Sequence, residues 1–159
     1  MAAFANEVDE QRLQMSEARM IEKAVRRIVR AHDLQSRALA KKCGLTAAQL
    51  VLMKGIAELG EVTSAALSVY ADISPATTVT ILDNLEERGL IERYRSATDR
   101  RIVHTRLTAE GVALVQHAPE PIAELFLDNL ARLTVEERKR LSEAATRLAE
   151  MMSVAGSGG

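Results

Sequence analysis

Apolar residues along this chain of 159 residues recur at helical spacing in one segment after another and alternate in only one. Between Ser16 and Lys42, Ile21, Val25, Ile28 and His32 share a stripe with Ala24, Ala31 and Ala38 beside it. Leu34 and Leu39 widen the stripe until it faces more than one neighbour, and Gly44 closes the helix. Residues 1–14 are polar and acidic, and either fray or extend this helix. Thr46 and Gln49 then form a capping-box pattern, in which the threonine and the residue three later satisfy each other's backbone N–H groups. They open a helix to Leu59 with Leu50, Met53, Ile56 and Leu59 inward, stopped by Gly60. Thr63 starts a short helix to Ala71, with Leu67 and Tyr70 expected to be buried, and Asp72, Ile73 and Ser74 form a turn. Ser74 caps the next helix, Pro75 suits its first position, and Gly89 ends it. Its inward residues are Thr78, Ile81, Leu82 and Leu85.

The alternating stretch follows. Ile91–Arg95 and Ile102–Leu107 read as the two strands of a hairpin, joined by the polar loop Ser96–Arg101. Thr108 caps a helix through His117 that carries Val112 and Val115, and Pro119 and Pro121 break it. A helix over Ile122–Arg132 presents Leu125, Phe126 and Leu130, with Leu133 just beyond. Thr134 and Glu137 repeat the capping box and open a helix to Met152, with Leu141, Ala145, Leu148 and Met152 on one face. The tail 153–159 is expected to be disordered. The fold class is therefore mainly α with a small β-hairpin wing, in one domain. Residues 46–107 form a winged helix-turn-helix, and 16–42 with 108–152 form a helical dimerisation lobe. The terminal helices carry more apolar surface than a small winged helix covers; a surplus of that kind marks an interface, or else these helices form a bundle within the chain.

Composition narrows the picture. Hydrophobic residues make up 47% of the chain but aromatics only 3%, so the core must be built from aliphatic side chains and Met. No apolar run approaches the ~18 residues of a membrane span, and the first ten residues lack the pattern of a signal peptide. One cysteine forms no internal disulfide. A cytoplasmic protein is expected. The net charge of −1 conceals segregation. From Arg88 to Arg106, six arginines face Glu92 and Asp99, a net +4; from Arg26 to Lys42, six basic residues face Asp33, a net +5. Acid gathers toward both ends, so either one face suits DNA and another is turned from it, or the charges make an ordinary solvated surface.

The helix from Ser74 shows short polar side chains on its outer side, Thr77, Thr80 and Asn84, which suit base edges in a major groove; Ser74 suits a phosphate. Arg88 stands at the end of this helix, the hairpin beside it carries Arg93, Arg95, Arg100 and Arg101, and an arginine-tipped loop fits a narrow minor groove. Together these residues are the candidate DNA-binding set.

L-E-E-R-G-L-I-E-R at 85–93, D-R-R at 99–101 and L-T-A-E-G at 107–111, in that order and spacing, resemble the MarR family of bacterial transcriptional regulators over Ala24–Met152. The resemblance implies a homodimer on a pseudo-palindromic double-stranded operator, acting as a repressor released by a small effector or by an ionic signal. It implies that Arg101 reaches the minor groove, and that Asp83 and Asp99 have structural roles in the wing, Asp83 pairing with a wing arginine. It implies a ligand crevice lined by His32, Gln35, Ser36, Leu52, Met53 and Ile56. The chain departs from the family at Thr80 and Asn84, where an arginine is common; the reading helix is neutral and affinity must lean on the wing. The stretches at 30–39, 44–50 and 117–121 further resemble a MarR subgroup that represses synthesis of compatible solutes such as ectoine in salt-tolerant bacteria.

Two rival readings remain. The neutral reading helix suits a ligand-binding dimer without specific DNA binding. Cys43 suits a thiol redox switch, although its place at a helix C-terminus opposes a thiolate. His32, His104 and His117 have no metal-ligand spacing, no cofactor is implied, and no catalytic constellation stands out, so an enzyme is not expected.

Overall fold

The computed structural model describes residues 2–119 and 124–153, with the side chains of 2–9 left aside. The order is α1 (Ala2–Cys43), α2 (Ala47–Leu59), α3 (Ser64–Ala71), α4 (Pro75–Glu87), β1 (Ile91–Arg95), β2 (Val103–Leu107), α5 (Ala109–His117), α6 (Glu124–Ala131) and α7 (Val135–Met152). The chain divides into two compact units, residues 1–121 and 122–159.

In the first unit α2 to α5 each begin where a side chain replaces a missing backbone partner. Thr46 accepts from Gln49 N while Gln49 accepts from Thr46 N, which completes the capping box of α2. Thr63, Ser74 and Thr108 cap α3, α4 and α5 through the N–H groups of Ala66, Thr77 and Gly111. Helices α1 to α4 end where φ turns positive, at Gly44, Gly60 and Gly89, and at Asp72 in the turn between α3 and α4. Ser68, buried in α3, donates to the Ile73 carbonyl at 2.6 Å and ties that turn down.

The core joins α1–α4 to the hairpin. Leu39, Leu45, Leu50, Leu52, Met53, Ile56, Leu67, Leu82, Leu85 and Ile91 are all buried in it. The strands pair antiparallel from Ile91 opposite Leu107 to Arg95 opposite Val103, and Thr105 N reaches back to the Val62 carbonyl at 2.8 Å. At Gly111, α5 comes so close to the Leu90 carbonyl that a Cβ there would lie 2.0 Å from its oxygen.

Several sequence expectations change. The acidic N-terminus extends α1 to Ala2. Leu59 is 49% and Tyr70 40% exposed: Leu59 is the last residue of α2, and the Tyr70 ring lies over Gly55 with its hydroxyl on Glu58. Ile102 lies outside β2, in the loop. On α1, Met20, Ile21, Ile28, Val29 and Leu34 are exposed.

In the second unit, Thr134 and Glu137 form the capping box of α7. The Thr134 backbone N–H holds the Glu137 carboxyl below its ordinary value. Leu125, Phe126, Leu127, Leu141 and Met152 are exposed. Residues 154–159 lie outside the described residues, as do Pro121 and Ile122. Among the described residues no single helix is long and apolar enough to cross a membrane.

Candidate nucleic-acid interface

Helix α4 buries Thr78, Leu82 and Leu85 and leaves Thr77, Thr80 and Asn84 exposed on its other side. Spacings of three and four residues put those three on one stripe. Each is already engaged within the protein. Thr77 Oγ1 accepts from Ser74 Oγ at 2.7 Å, Thr80 Oγ1 donates to the Ala76 carbonyl at 3.1 Å, and Asn84 Oδ1 accepts from Gln49 Nε2 at 2.8 Å. Ser74 Oγ also accepts from Thr77 N, so this hydroxyl, offered above for a phosphate, is the helix cap.

The arginines divide into two groups. Arg93 faces inward across the α4–β1 corner: its Nε donates to Glu86 Oε2 at 2.9 Å, its Nη2 donates to the same oxygen, and Nη2 also reaches Asp83 Oδ1 at 2.6 Å. Its backbone N–H donates to Glu86 Oε1 at 3.0 Å. The hydrogen bonds from Arg93 hold the Glu86 carboxyl below its ordinary value, and Glu86 in turn holds the guanidinium above its own. Arg93, expected on DNA, thus has its charge offset by two carboxylates. Arg88 caps α4, and its Nη2 lies 3.6 Å from where a Cβ on Gly44 would stand, beside the end of α1.

The second group is at the wing tip. Arg101 is 91% exposed, and Asp99 accepts from its backbone N–H at 3.0 Å, from Nε at 3.2 Å and, through the other oxygen, from Nη2 at 3.2 Å. The Arg101 side chain holds the Asp99 carboxyl below its ordinary value. Asp99 therefore limits the directions Arg101 takes while leaving it in solvent. Arg95 Nη1 donates to the Arg100 carbonyl at 2.8 Å, which stiffens the loop, and the Arg100 side chain is exposed. The arrangement is a polar helix face beside a hairpin whose outermost side chains are guanidiniums.

The residues expected to line a ligand crevice do not gather as one wall. Leu52 and Met53 are wholly buried in the core, so neither offers a surface. Ser36 Oγ accepts from Ala47 N at 3.5 Å where α1 meets α2, Gln35 is half-buried and His32 is exposed. Ile56 does border a cavity, of about 580 Å³, between the end of α2, the hairpin and α5, together with Glu61, Tyr94, Arg106, Val112 and Gln116. Arg106 pairs with Glu92 at 2.6 Å and lies 4.8 Å from the Tyr94 ring centre; the Tyr94 hydroxyl donates to Glu61 at 3.0 Å. Partial burial, then the Glu61 carboxylate, raise the Tyr94 hydroxyl above its ordinary value. Cys43 is half-buried and donates to the Leu39 carbonyl at 3.2 Å. Among the described residues no group of three or more His, Cys, Asp or Glu is placed to hold a metal ion.

Sequence reasoning passed over Gln49 and Glu86. Gln49 reads only as a cap and Glu86 carries no role, because nothing in the linear order shows that they meet Asn84, 35 residues on, and Arg93, seven residues on.

The chain has relatives among known proteins. A model of the MarR family matches residues 45–103. The HTH-type transcriptional regulator YhbI of Bacillus subtilis (strain 168) is 32% identical over 109 residues, 67% of this chain and 71% of that protein. Among solved structures, the S. aureus MepR–DNA complex superposes with a TM-score of 0.69 at 21% identity, covering 82% of this chain and 97% of that one. PcaV from Streptomyces coelicolor, in complex with its natural ligand, gives 0.68 at 22% identity, covering 82% and 92%. At these identities the two structures speak for the fold.

Proposed function

The chain belongs to the MarR family of DNA-binding transcriptional regulators, and on that footing we propose that two copies bind one pseudo-palindromic duplex site as a repressor that a signal releases. The observation that carries this reading is the side-by-side placement of an exposed polar stripe on α4 and an arginine-tipped hairpin. The stripe suits base edges and the tip suits phosphates and the minor groove. Arg95, Arg100 and Arg101 supply the sequence-independent attraction, and Thr77, Thr80 and Asn84 the base contacts. The exposed apolar residues of α1, α6 and α7 suit a twofold interface. Such a dimer sets two reading helices about one DNA turn apart, ~34 Å.

The cavity beside Tyr94 and Arg106 has the size of a small-molecule site, and a small aromatic acid fits its mixed walls and its arginine. A ligand that prefers one arrangement of α5 against the hairpin releases DNA by shifting the balance of states. Ionic strength is a second signal, since the basic hairpin makes affinity fall with salt. The protein works in the cytoplasm and catalyses no reaction.

The test is fluorescence anisotropy of a duplex carrying the promoter next to the protein's own gene, against a scrambled duplex, over a salt series. Selective binding that weakens steeply with salt, and that in Arg101→Ala is weaker with a flatter salt dependence, is the expected result. Equal, weak binding to both duplexes would overturn it in favour of a ligand-binding dimer.

A further inference from the structure

Obligate hydrogen-bond chemistry decides which way two side chains of the α4 stripe present themselves. The Thr46 backbone N–H can only donate, and it lies 2.9 Å from Gln49 Oε1. The atom it meets must be an oxygen, so the other terminal atom of Gln49 is an NH2 group, which can only donate. That group lies 2.8 Å from Asn84, and what it meets there must be the carbonyl oxygen Oδ1. The two protons of Asn84 Nδ2 remain, with no acceptor for them among the described residues. The capping box of α2 is thus the first link of a relay whose last link is an exposed amide on α4. A second group is decided in the same way. The Ala76 carbonyl can only accept, so the hydroxyl proton of Thr80 is spent on it at 3.1 Å. Thr80 then offers outward only lone pairs and its methyl group.

Resting on the reading that α4 enters a major groove, we infer that Gln49 is a positioning residue for base specificity: it makes Asn84 a donor-only reader that selects a keto base, while Thr80 is an acceptor-only reader that selects an amino base. In the major groove guanine shows N7 and O6 and thymine shows O4, all acceptors; adenine and cytosine carry amino donors at N6 and N4. An unconstrained asparagine pairs with adenine through both ends of its amide, donating to N7 and accepting from N6. That pairing is closed to Asn84, because its oxygen is turned to Gln49. Opposite cytosine its amide protons would face only an amino group, opposite adenine they find N7 but crowd the N6 amino group beside it, and opposite guanine they meet one or both acceptors. One such contact is worth about tenfold in affinity between the right and wrong base.

The relay can be reversed by one substitution that keeps the fold. Glutamate serves a capping box as glutamine does, and Glu137 already accepts from Thr134 N at 2.8 Å in this protein. In Gln49→Glu the side chain still accepts from Thr46 N but can only accept from Asn84. The Asn84 amide must turn, bringing Nδ2 to the carboxylate and Oδ1 outward. The experiment is selection of sites from a randomised duplex pool by the full-length protein, the Gln49→Glu variant and Asn84→Ala, followed by anisotropy on single-base variants of the selected site. The wild-type protein is expected to enrich guanine or thymine at the Asn84 position. Gln49→Glu is expected to enrich adenine or cytosine at that position alone, by about tenfold, with the Thr80 position and the melting temperature unchanged. Asn84→Ala should have no preference there. The added carboxylate lowers affinity for every duplex alike, so relative preference is unaffected by it. If the wild-type protein selects a site and Gln49→Glu selects the same one, the relay is wrong while the DNA reading stands. If Asn84→Ala keeps the wild-type preference, Asn84 is not the reader. If the wild-type protein enriches no sequence, the DNA reading fails and this inference fails with it.

Discussion

Replacing Arg93 with alanine separates an arginine that holds the wing from arginines that hold DNA. In a basic hairpin all guanidiniums look alike, yet Arg93 is 29% exposed and bound to Glu86 and Asp83, whereas Arg101 is 91% exposed. A charge-assisted hydrogen bond contributes roughly 1.5–3 kcal/mol when well buried and about 0.2–1 kcal/mol in solvent. The carboxylates here are 55% (Asp83) and 37% (Glu86) exposed, so their bonds to the Arg93 side chain belong near the solvent end. Their sum is about 1–2 kcal/mol, which Arg93→Ala should lose in urea denaturation. Its effect on DNA is the sharper test. Each phosphate neutralised by a free cation adds ~0.9 to the steepness of log affinity against log salt. Arg93 is already neutralised, so Arg93→Ala should leave that slope as it is, with only a modest affinity loss from a looser wing. Arg100→Ala should flatten the slope by ~1.8, ~0.9 from each copy of the dimer. Anisotropy titrations over a range of salt, well below the melting temperature, read both variants. A slope flattened equally by Arg93→Ala would refute the reasoning, because Arg93 would then leave its carboxylates for a phosphate.

Three other perturbations follow from the packing. The Glu86 carboxyl is held below its ordinary value, chiefly by Arg93, so its contribution is complete above about pH 4.5 and is lost as pH falls through the lowered value. The stability advantage of the wild-type protein over Glu86→Gln, followed by urea denaturation, should therefore shrink in acid; an advantage constant down to pH 3 would contradict the assignment. Thr78 is fully buried in α4 and its hydroxyl has no partner among the described residues, so Thr78→Val should be neutral or stabilising by roughly 1 kcal/mol, and a loss of that size would show a partner for the hydroxyl. In Gly111→Ala the new Cβ would meet the Leu90 carbonyl, which also accepts from Thr108 N at 3.1 Å. Relief requires α5 to lift off the hairpin, at a cost of roughly 2–4 kcal/mol from overpacking and a weakened cap, visible as a lower melting temperature; an unchanged one would disprove the close approach.

Most of the elements could be read from the chain because their causes are local. The caps at Thr46, Thr63, Ser74, Thr108 and Thr134, and the glycines at 44, 60 and 89, act through bonds within a few residues. Period did the rest: alternation marked the hairpin, and helical spacing marked Thr78, Leu82 and Leu85 as the inward face of α4, which leaves Thr77, Thr80 and Asn84 outward. Where local pattern failed, tertiary contact was the reason. Tyr70 has an apolar ring at an inward position, but the missing side chain of Gly55 gives that ring a seat at the surface and Glu58 takes its hydroxyl. Arg93 belongs to a basic run, and only the fold of α4 against β1 puts two carboxylates around it. Leu52 and Met53 sit on a helix that could have bordered a crevice, yet the packing of α2 in the core encloses them completely. Sequence by itself determined the elements, their order and the inward face of α4, because those depend on near neighbours and on period. Which groups are paired, and which end of the Asn84 amide is left to meet a base, only the tertiary structure decided, because hydrogen bonds and ion pairs act over a few ångströms between residues the chain keeps far apart.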